Sequence, residues 1–367
     1  MRKTSRIRVL VVDDSSVMRR LVAHALEGDP GIQLAGVAAD GLIALEMLSQ
    51  VNPDLVTLDI EMPRMNGLET LREIRKRYPR LPVIMCSSLT VRGGTSTFEA
   101  LTLGANDYIT KPSTPRQGPV VSAGSSAESQ VQILNQSLVA FREELVPKIR
   151  QFFPSLSNSR SGSSSAAHNA HPRQRIATGP PAAIVIGVST GGPTALANII
   201  TDLPSTLRVP VLIVQHMPKV FTRLLAERLQ TLTKLKVSEA TDGDVVCAGR
   251  IYVAPGDYHL RLKRRGTEIV TTLDQESPEN SCRPAVDVLF RSAADIWGGS
   301  VVAVILTGMG QDGLRGVEEL KSRGAYVIAQ DQNSSVVWGM PGAVVTAGMA
   351  NAVLDLKQVI PEVLRRL

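Results

Sequence analysis

Residues 183–193 read AIVIGVSTGGP, an apolar run that stops abruptly at a serine framed by glycines. The run has the look of a buried strand in a parallel sheet covered by helices. Ser189 sits in a Gly187-x-Ser189-x-Gly191 frame, the pattern of a hydroxyl lifted on a tight turn between a strand and a helix. Glycines on either side let the backbone turn there without a Cβ clash. The helix expected next, over about 193–202, would bare backbone N–H groups where an oxyanion forms. The same frame also serves plain βα turns and phosphate-binding loops. Residues further along must decide.

Two further strand ends bear on it. VPVLIVQ delivers His216 in QHMP, and SVVAVILTGMGQDG delivers Asp312. The 27 residues from Ser189 to His216 hold one helix and one strand, a single crossover. Neighbouring parallel strands can therefore set the serine and histidine side by side. A serine needs an adjacent base, and the base needs an acid that holds its tautomer and stabilises the imidazolium. Asp244, Asp257, Asp287, Asp295 and Asp331 compete for that last role. Asp312 is preferred because it follows an apolar strand, in a Gly308–Gly313 turn that bares backbone N–H groups. Met309 reads as core filler by its side chain, but its N–H and that of Thr190 could form an oxyanion hole. A lone histidine is more often a satisfied core residue than a base; His24 and His259 read that way. Residues 250–272, RIYVAPGDYHLRLKRRGTEIVTT, predict strands turning at Arg265-Gly266, an antiparallel excursion on the parallel core.

The N-terminal third also alternates strand and helix. IRVLVVD, DLVTLDI, LPVIMCSS and DYITKP read as strands, with helices over about 15–27, 41–49, 66–77 and 95–103. Asp13 and Asp14 follow the first strand, Asp59 and Ser87 end later ones, and Lys111 follows the last. In a parallel sheet those ends converge on one crevice. Clustered carboxylates call for a hard cation, and Mg²⁺ takes oxygen ligands of this kind. A carboxylate beside Mg²⁺ can attack a phosphoryl group, a lysine can pair with the phosphoryl oxygens, and a hydroxyl can hydrogen-bond to one of them. Singly, Asp after a strand is often an N-cap and Lys-Pro a turn.

Composition bounds the rest. At 367 residues, 43% hydrophobic and 20% charged, the chain can hold two or three globular domains. The apolar run near the N-terminus is too short for a signal peptide, and no apolar stretch approaches the ~18 residues of a membrane span, so a cytoplasmic protein is expected. Cys86, Cys247 and Cys282 form no paired motif, which argues against a disulfide framework or zinc site. The net charge of +6 is uneven: residues 1–111 carry 14 basic and 13 acidic side chains, 181–367 carry 19 and 18, and 112–180 carry 7 and 3. Neither folded part is strongly basic, and aromatics are only 4%, so nucleic acid is not an expected partner. Residues 154–180 are rich in Ser, Pro and Asn and predict a flexible linker; His168 and His171 fall within it. Before it, Val131, Leu134, Leu138, Phe141, Leu145, Ile149 and Phe152 recur at helical spacing over about 128–153. That stripe suits either packing on its own domain or a partner surface. The expected division is 1–125, a helical segment and linker over 126–178, and 179–367.

Residues 7–112, with VVDDSSVMR, LDIEMPRMNG, MCSS and DYITKP, resemble the receiver domain of bacterial response regulators. The resemblance implies a doubly wound parallel sheet, phosphorylation of Asp59, Mg²⁺ held at Asp13, Asp14 and Asp59, and switch roles for Ser87 and Lys111. The family often has Thr where Ser87 stands. Residues 182–361, with IGVSTGGP, VQHMP, VAPGDYH and LTGMGQDG in order, resemble the catalytic domain of chemotaxis protein-glutamate methylesterases. That resemblance implies a second doubly wound α/β domain and a Ser189, His216, Asp312 triad without a cofactor. It further implies removal of methyl esters from glutamates on cytoplasmic chemoreceptor helices, deamidation of receptor glutamines, and a histidine kinase as phosphodonor, with only peripheral contact with the membrane through those receptors. The rivals are a DNA-binding response regulator, which would need a helix-turn-helix output, and an esterase-like domain that acts on another ester or only binds.

Overall fold

Short, mostly Val-, Ile- and Leu-rich runs, most of them followed by a helix, build two parallel sheets. The structure is a computed structural model and describes residues 6–87, 91–112, 127–153 and 179–367. The chain divides into two compact units, Met1–Ser164 and Ser165–Leu367.

The first unit runs β1 (Ile7–Val12), α1 (Ser16–Glu27), β2 (Ile32–Ala38), α2 (Gly41–Val51), β3 (Leu55–Asp59), α3 (Gly67–Arg77), β4 (Val83–Ser87), α4 (Val91–Thr102), β5 (Asp107–Thr110) and α5 (Ala127–Arg150). Its strands lie in the order β2-β1-β3-β4-β5, all parallel. Local chemistry sets the helix starts. Ser15 accepts the Met18 N–H, Asp40 accepts the Ile43 N–H, and Asn66 and Glu69 form a reciprocal capping box. Strand β2 is absent from the sequence reading because it is half-exposed and its apolar residues are interrupted by Gln33 and Gly36, so it shows no buried run.

Helix α5 resolves the alternative left open by its apolar stripe. Phe141, Leu145 and Ile149 are buried in the core of the first unit, with Leu138 and Phe152 packed against it. Arg150 bonds Asp29 at 2.6 Å and Lys148 bonds the Tyr108 carbonyl at 2.5 Å. The helix thus completes the first unit's core, whereas the sequence reading placed it in a connecting segment. Residues 154–178 of the expected linker, His168 and His171 included, lie outside the described residues. His24 differs from expectation too: its side chain is 69% exposed beside Glu27, on the solvent side of α1.

The second unit has a seven-stranded parallel sheet in the order β14-β13-β12-β6-β7-β9-β8. Its strands are β6 (Ala183–Val188), β7 (Val211–Gln215), β8 (Lys236–Glu239), β9 (Arg250–Val253), β12 (Val301–Ile305), β13 (Tyr326–Gln330) and β14 (Ala352–Leu354). A separate antiparallel hairpin, β10 (His259–Arg265) and β11 (Glu268–Asp274), turns at Gly266–Thr267, one residue beyond the expected Arg265-Gly266. The RIYV segment is not part of that excursion; it is β9, parallel to β7, because Ile251, Tyr252 and Val253 are fully buried in the sheet. The helices are α6 (Gly192–Ile200), α7 (Lys219–Gln230), α8 (Val286–Trp297), α9 (Leu314–Ser322), α10 (Met340–Thr346) and α11 (Leu356–Arg366). Val185, Leu212, Val214, Ala303 and Ile305 face α8, α9 and the hairpin in one continuous core. The chain leaves β6 in one direction toward β7 and returns to its other side with β12, so the order reverses at β6. A crevice opens at the carboxyl ends of strands at such a point.

Candidate functional site

Register alone brings three residues to that crevice. Val188 pairs with Gln215, so Ser189 and His216 come next on adjacent strands. On the other side Ser189 N–H donates to the Thr307 carbonyl at 3.0 Å, at the end of β12. Gly191 holds φ +77° as the N-cap of α6, the left-handed conformation that favours glycine. Gly187 serves differently from the expected turn: a Cβ there would lie 2.4 Å from a Val286 methyl, so it admits α8 against β6. Gln215 Nε2 donates to the carbonyls of Ser189 at 3.0 Å and His216 at 3.3 Å, tying the two strand ends together.

His216 Nε2 lies 2.7 Å from Asp312 Oδ2. That leaves Nδ1 as the other ring nitrogen, and the Cys282 sulfur is within hydrogen-bonding reach of the imidazole. Among the described residues no hydrogen bond joins Ser189 Oγ to the ring; such contacts are often long before substrate binds. Burial alone would lower the imidazole, but the bond to Asp312 and the Cys282 sulfur outweigh it and raise it above its ordinary value. Asp312 is 2% exposed. Its Oδ2 also accepts the Val286 N–H at 2.6 Å, and its Oδ1 accepts from Asp287 N at 3.1 Å, Gly313 N at 3.0 Å and Asn280 Nδ2 at 2.9 Å. Burial pushes Asp312 up, but His216 and the first-turn N–H groups of α8 prevail and hold it at about 2.

The rival acids are engaged elsewhere. Asp257 pairs with Arg283, Asp295 with Arg323, Asp244 caps Thr241 N, and Asp331 bonds Ser334. Asp287 is the exception, since it lies buried beside Asp312. His259 is the core histidine expected, 1% exposed, with Nε2 on the Ser277 carbonyl and Nδ1 taking the Ala285 N–H. Met309 stands 43% exposed rather than in the core, and no acceptor takes its N–H among the described residues. Thr190 is 9% exposed, its carbonyl taking the Thr307 hydroxyl at 2.9 Å. Gly308 separates the two loops closely: a Cβ there would lie 2.7 Å from Ser189 Cβ. Asn280 and Cys282 went unread as site residues, and Asp287 was read only as a rival to Asp312, because only their through-space neighbours reveal their places.

The first unit has its own pocket. Asp13, Asp14 and Asp59 offer oxygens that all lie within 4.8 Å of one another. Lys111 Nζ is 2.8 Å from Asp13 Oδ2 and 2.7 Å from Asp59 Oδ2. Burial, with Asp13 adding to it against the opposing pull of Lys111, pushes Asp59 up to about 6. Burial lowers Lys111, but the two carboxylates prevail and raise it. Such a hard, under-neutralised oxygen set fits a divalent cation. Gly67 lets α3 reach this strand end, since a Cβ there would lie 2.1 Å from the Asp59 carbonyl oxygen. Ser87 ends β4 one strand away, its oxygen taking the Thr97 hydroxyl at 2.6 Å. Among the described residues no helix is long and apolar enough to cross a membrane.

Comparison with known proteins gives a family for each unit. Residues 184–363 match the CheB methylesterase family and residues 9–119 the response regulator receiver domain. A protein-glutamate methylesterase/protein-glutamine glutaminase of Trichodesmium erythraeum is 46% identical over 365 residues, covering 99% of both chains. Its namesake from Pyrococcus abyssi is 42% identical over 363 residues, 98% of this chain and 93% of its own. The crystal structure of the Thermotoga maritima CheB methylesterase catalytic domain is 43% identical with a TM-score of 0.50, covering 51% of this chain and 99% of that one. A receiver unit followed by a Ser, His and Asp crevice, matched over its full length, places this chain in the family of protein-glutamate methylesterases/protein-glutamine glutaminases.

Proposed function

We propose that the chain is a phosphorylation-controlled serine hydrolase that demethylates glutamyl methyl esters, and deamidates glutamines, on the cytoplasmic helices of chemoreceptors. The observation that carries it is the buried His216–Asp312 pair at 2.7 Å on the strand end beside Ser189. In this reading Ser189 Oγ attacks the ester carbonyl carbon while His216 takes the hydroxyl proton. The oxyanion is met by the Thr190 and Met309 N–H groups. Collapse breaks the ester C–O bond, and His216 returns the proton to the leaving oxygen, which departs as methanol. Water then enters by the same route, and the acyl-serine yields the glutamate. With a glutamine amide, ammonia leaves instead.

In the receiver, Asp13, Asp14 and Asp59 would hold Mg²⁺, which when bound neutralises the carboxylates and the incoming phosphoryl charge. Asp59 accepts the phosphoryl group from a histidine kinase, Lys111 pairs with its oxygens, and the Ser87 hydroxyl turns to it. The units divide in this reading into a receiver that includes α5, a linker segment to 178, and a catalytic domain from 179. The test is incubation of the full chain with methyl-labelled receptor, with and without a small phosphodonor. Methanol release that a phosphodonor raises and Ser189→Ala removes supports the reading. No release from a receptor that another esterase demethylates overturns it.

A further inference from the structure

Two buried carboxylates stand side by side in the catalytic unit, and one amide joins them. Asp287 is 1% exposed and Asp312 2%. Asn280 Nδ2 lies 2.9 Å from Asp287 Oδ2 and 2.9 Å from Asp312 Oδ1. An amide nitrogen carries two hydrogens, so it can serve both acids at once, which a hydroxyl or a carboxylate cannot. The two acids also anchor each other's helices. Asp312, just before α9, accepts the Val286 and Asp287 N–H groups of the first turn of α8, while Asp287, on α8, accepts the Gly316 N–H of α9 at 2.7 Å. Burial, with Asp312 adding to it, pushes Asp287 up to about 6.

The loop bearing Asn280 is built to aim it. Asn280 and Ser281 hold φ +52° and +62°, the central pair of a tight turn closed by Glu279 N to Cys282 O at 3.1 Å and Cys282 N to Glu279 O at 2.9 Å. The Glu279 carboxylate is clamped by Arg291 of α8 at 2.8 and 2.5 Å, and His259 ties Ser277 and Ala285 on either side. Asn tolerates the left-handed conformation better than most residues, so the turn and the amide are satisfied by one residue type.

We infer that Asn280 is a positioning residue for the proposed hydrolysis, acting through Asp312. It fixes the Asp312 carboxylate, and so the orientation of the imidazole that Asp312 holds, and it keeps the adjacent Asp287 carboxylate from displacing it. This rests on the esterase reading. The discriminating variants are Asn280→Gly and Asn280→Asp in the full chain, because both accept positive φ and neither offers an amide donor. On methylated receptor each lowers kcat about 10- to 100-fold with KM within about twofold, the usual scale for outer partners that orient a reacting group. Asn280→Asp is the worse, since it adds a third carboxylate. In an Asp312→Ala background the Asn280→Gly change costs less than about twofold, because its target is gone. Wild-type kcat in both Asn280 variants would mean the residue only shapes the turn and would overturn the inference. So would an undiminished loss in the Asp312→Ala background. A wild-type chain that releases no methanol refutes the esterase reading itself, a separate outcome seen in the same assay.

Discussion

Replacing Asp312 by Asn keeps the shape of the acid and tests both its charge and its place in the network. One end of the new amide must be an NH₂ group, and the site presents donors to both ends. Facing NH₂ toward Asn280, Asp287 N and Gly313 N would orphan those three donors, a loss of about 3–9 kcal/mol at roughly 1–3 kcal/mol each. Facing it toward His216 and Val286 orphans only the Val286 N–H, about 1–3 kcal/mol. The second orientation wins. It donates to His216 Nε2 and so forces the ring proton onto Nδ1, the nitrogen that Ser189 needs as a base. The expected result is a kcat about 10⁴-fold lower, ~5 kcal/mol of transition-state stabilisation, with an unfolding free energy of the catalytic unit down by only about 1–3 kcal/mol. Methanol release from methylated receptor gives the first quantity and urea unfolding followed by circular dichroism the second. A variant that keeps a tenth of wild-type kcat would refute the reasoning, because the tautomer argument leaves no route to that rate.

Ser189→Ala should lower hydrolysis to the same degree while shifting the unfolding midpoint little, since among the described residues no hydrogen bond to Ser189 Oγ is lost; turnover within about tenfold of wild type would exclude it as nucleophile. The raised His216 must lose its proton to act as a base, so kcat/KM should climb with pH through a midpoint above the ordinary imidazole value; an acid limb at or below ~6.5 would contradict this. In stability the same shift has the opposite sign: the His216–Asp312 contribution is full below the unfolded imidazole value and lost as pH rises through the folded one. Asp59 is held up to about 6, so its cost appears as pH rises from about 4 to 6. Asp59→Asn should therefore stabilise the receiver at pH 7 by up to about 3 kcal/mol in a calorimetric scan, and should abolish a phosphodonor activation expected at roughly 5- to 150-fold. Gly308→Ala, whose Cβ would press on Ser189 Cβ and the Met340 sulfur, should lower kcat while the chain still folds; full activity would show that the two loops can part freely.

Much of this protein is legible locally. Uninterrupted apolar runs such as AIVIGV and VPVLIVQ read as buried strands, and the residues that end them, Ser189 and His216, inherit their positions from strand register. Asp13, Asp59 and Lys111 are placed by the same rule in the first sheet. What depends on contacts between distant segments stays hidden. The edge strand β2 lacks a buried run because one side of it faces solvent, and RIYV joins the parallel sheet only because β7 offers it an open edge. The apolar stripe of α5 looks the same whether it meets its own core or a partner; packing decides for the core. At the crevice, sequence order names an acid for His216, but only the fold shows that Nε2 meets it, that Cys282 lies against the ring, and that Asp287 stands beside Asp312 with one amide between them. A buried charge is tolerated only where donors converge on it, and those donors come from α8, the turn at 279–282 and the loop after β12, segments that adjoin only once the chain has folded.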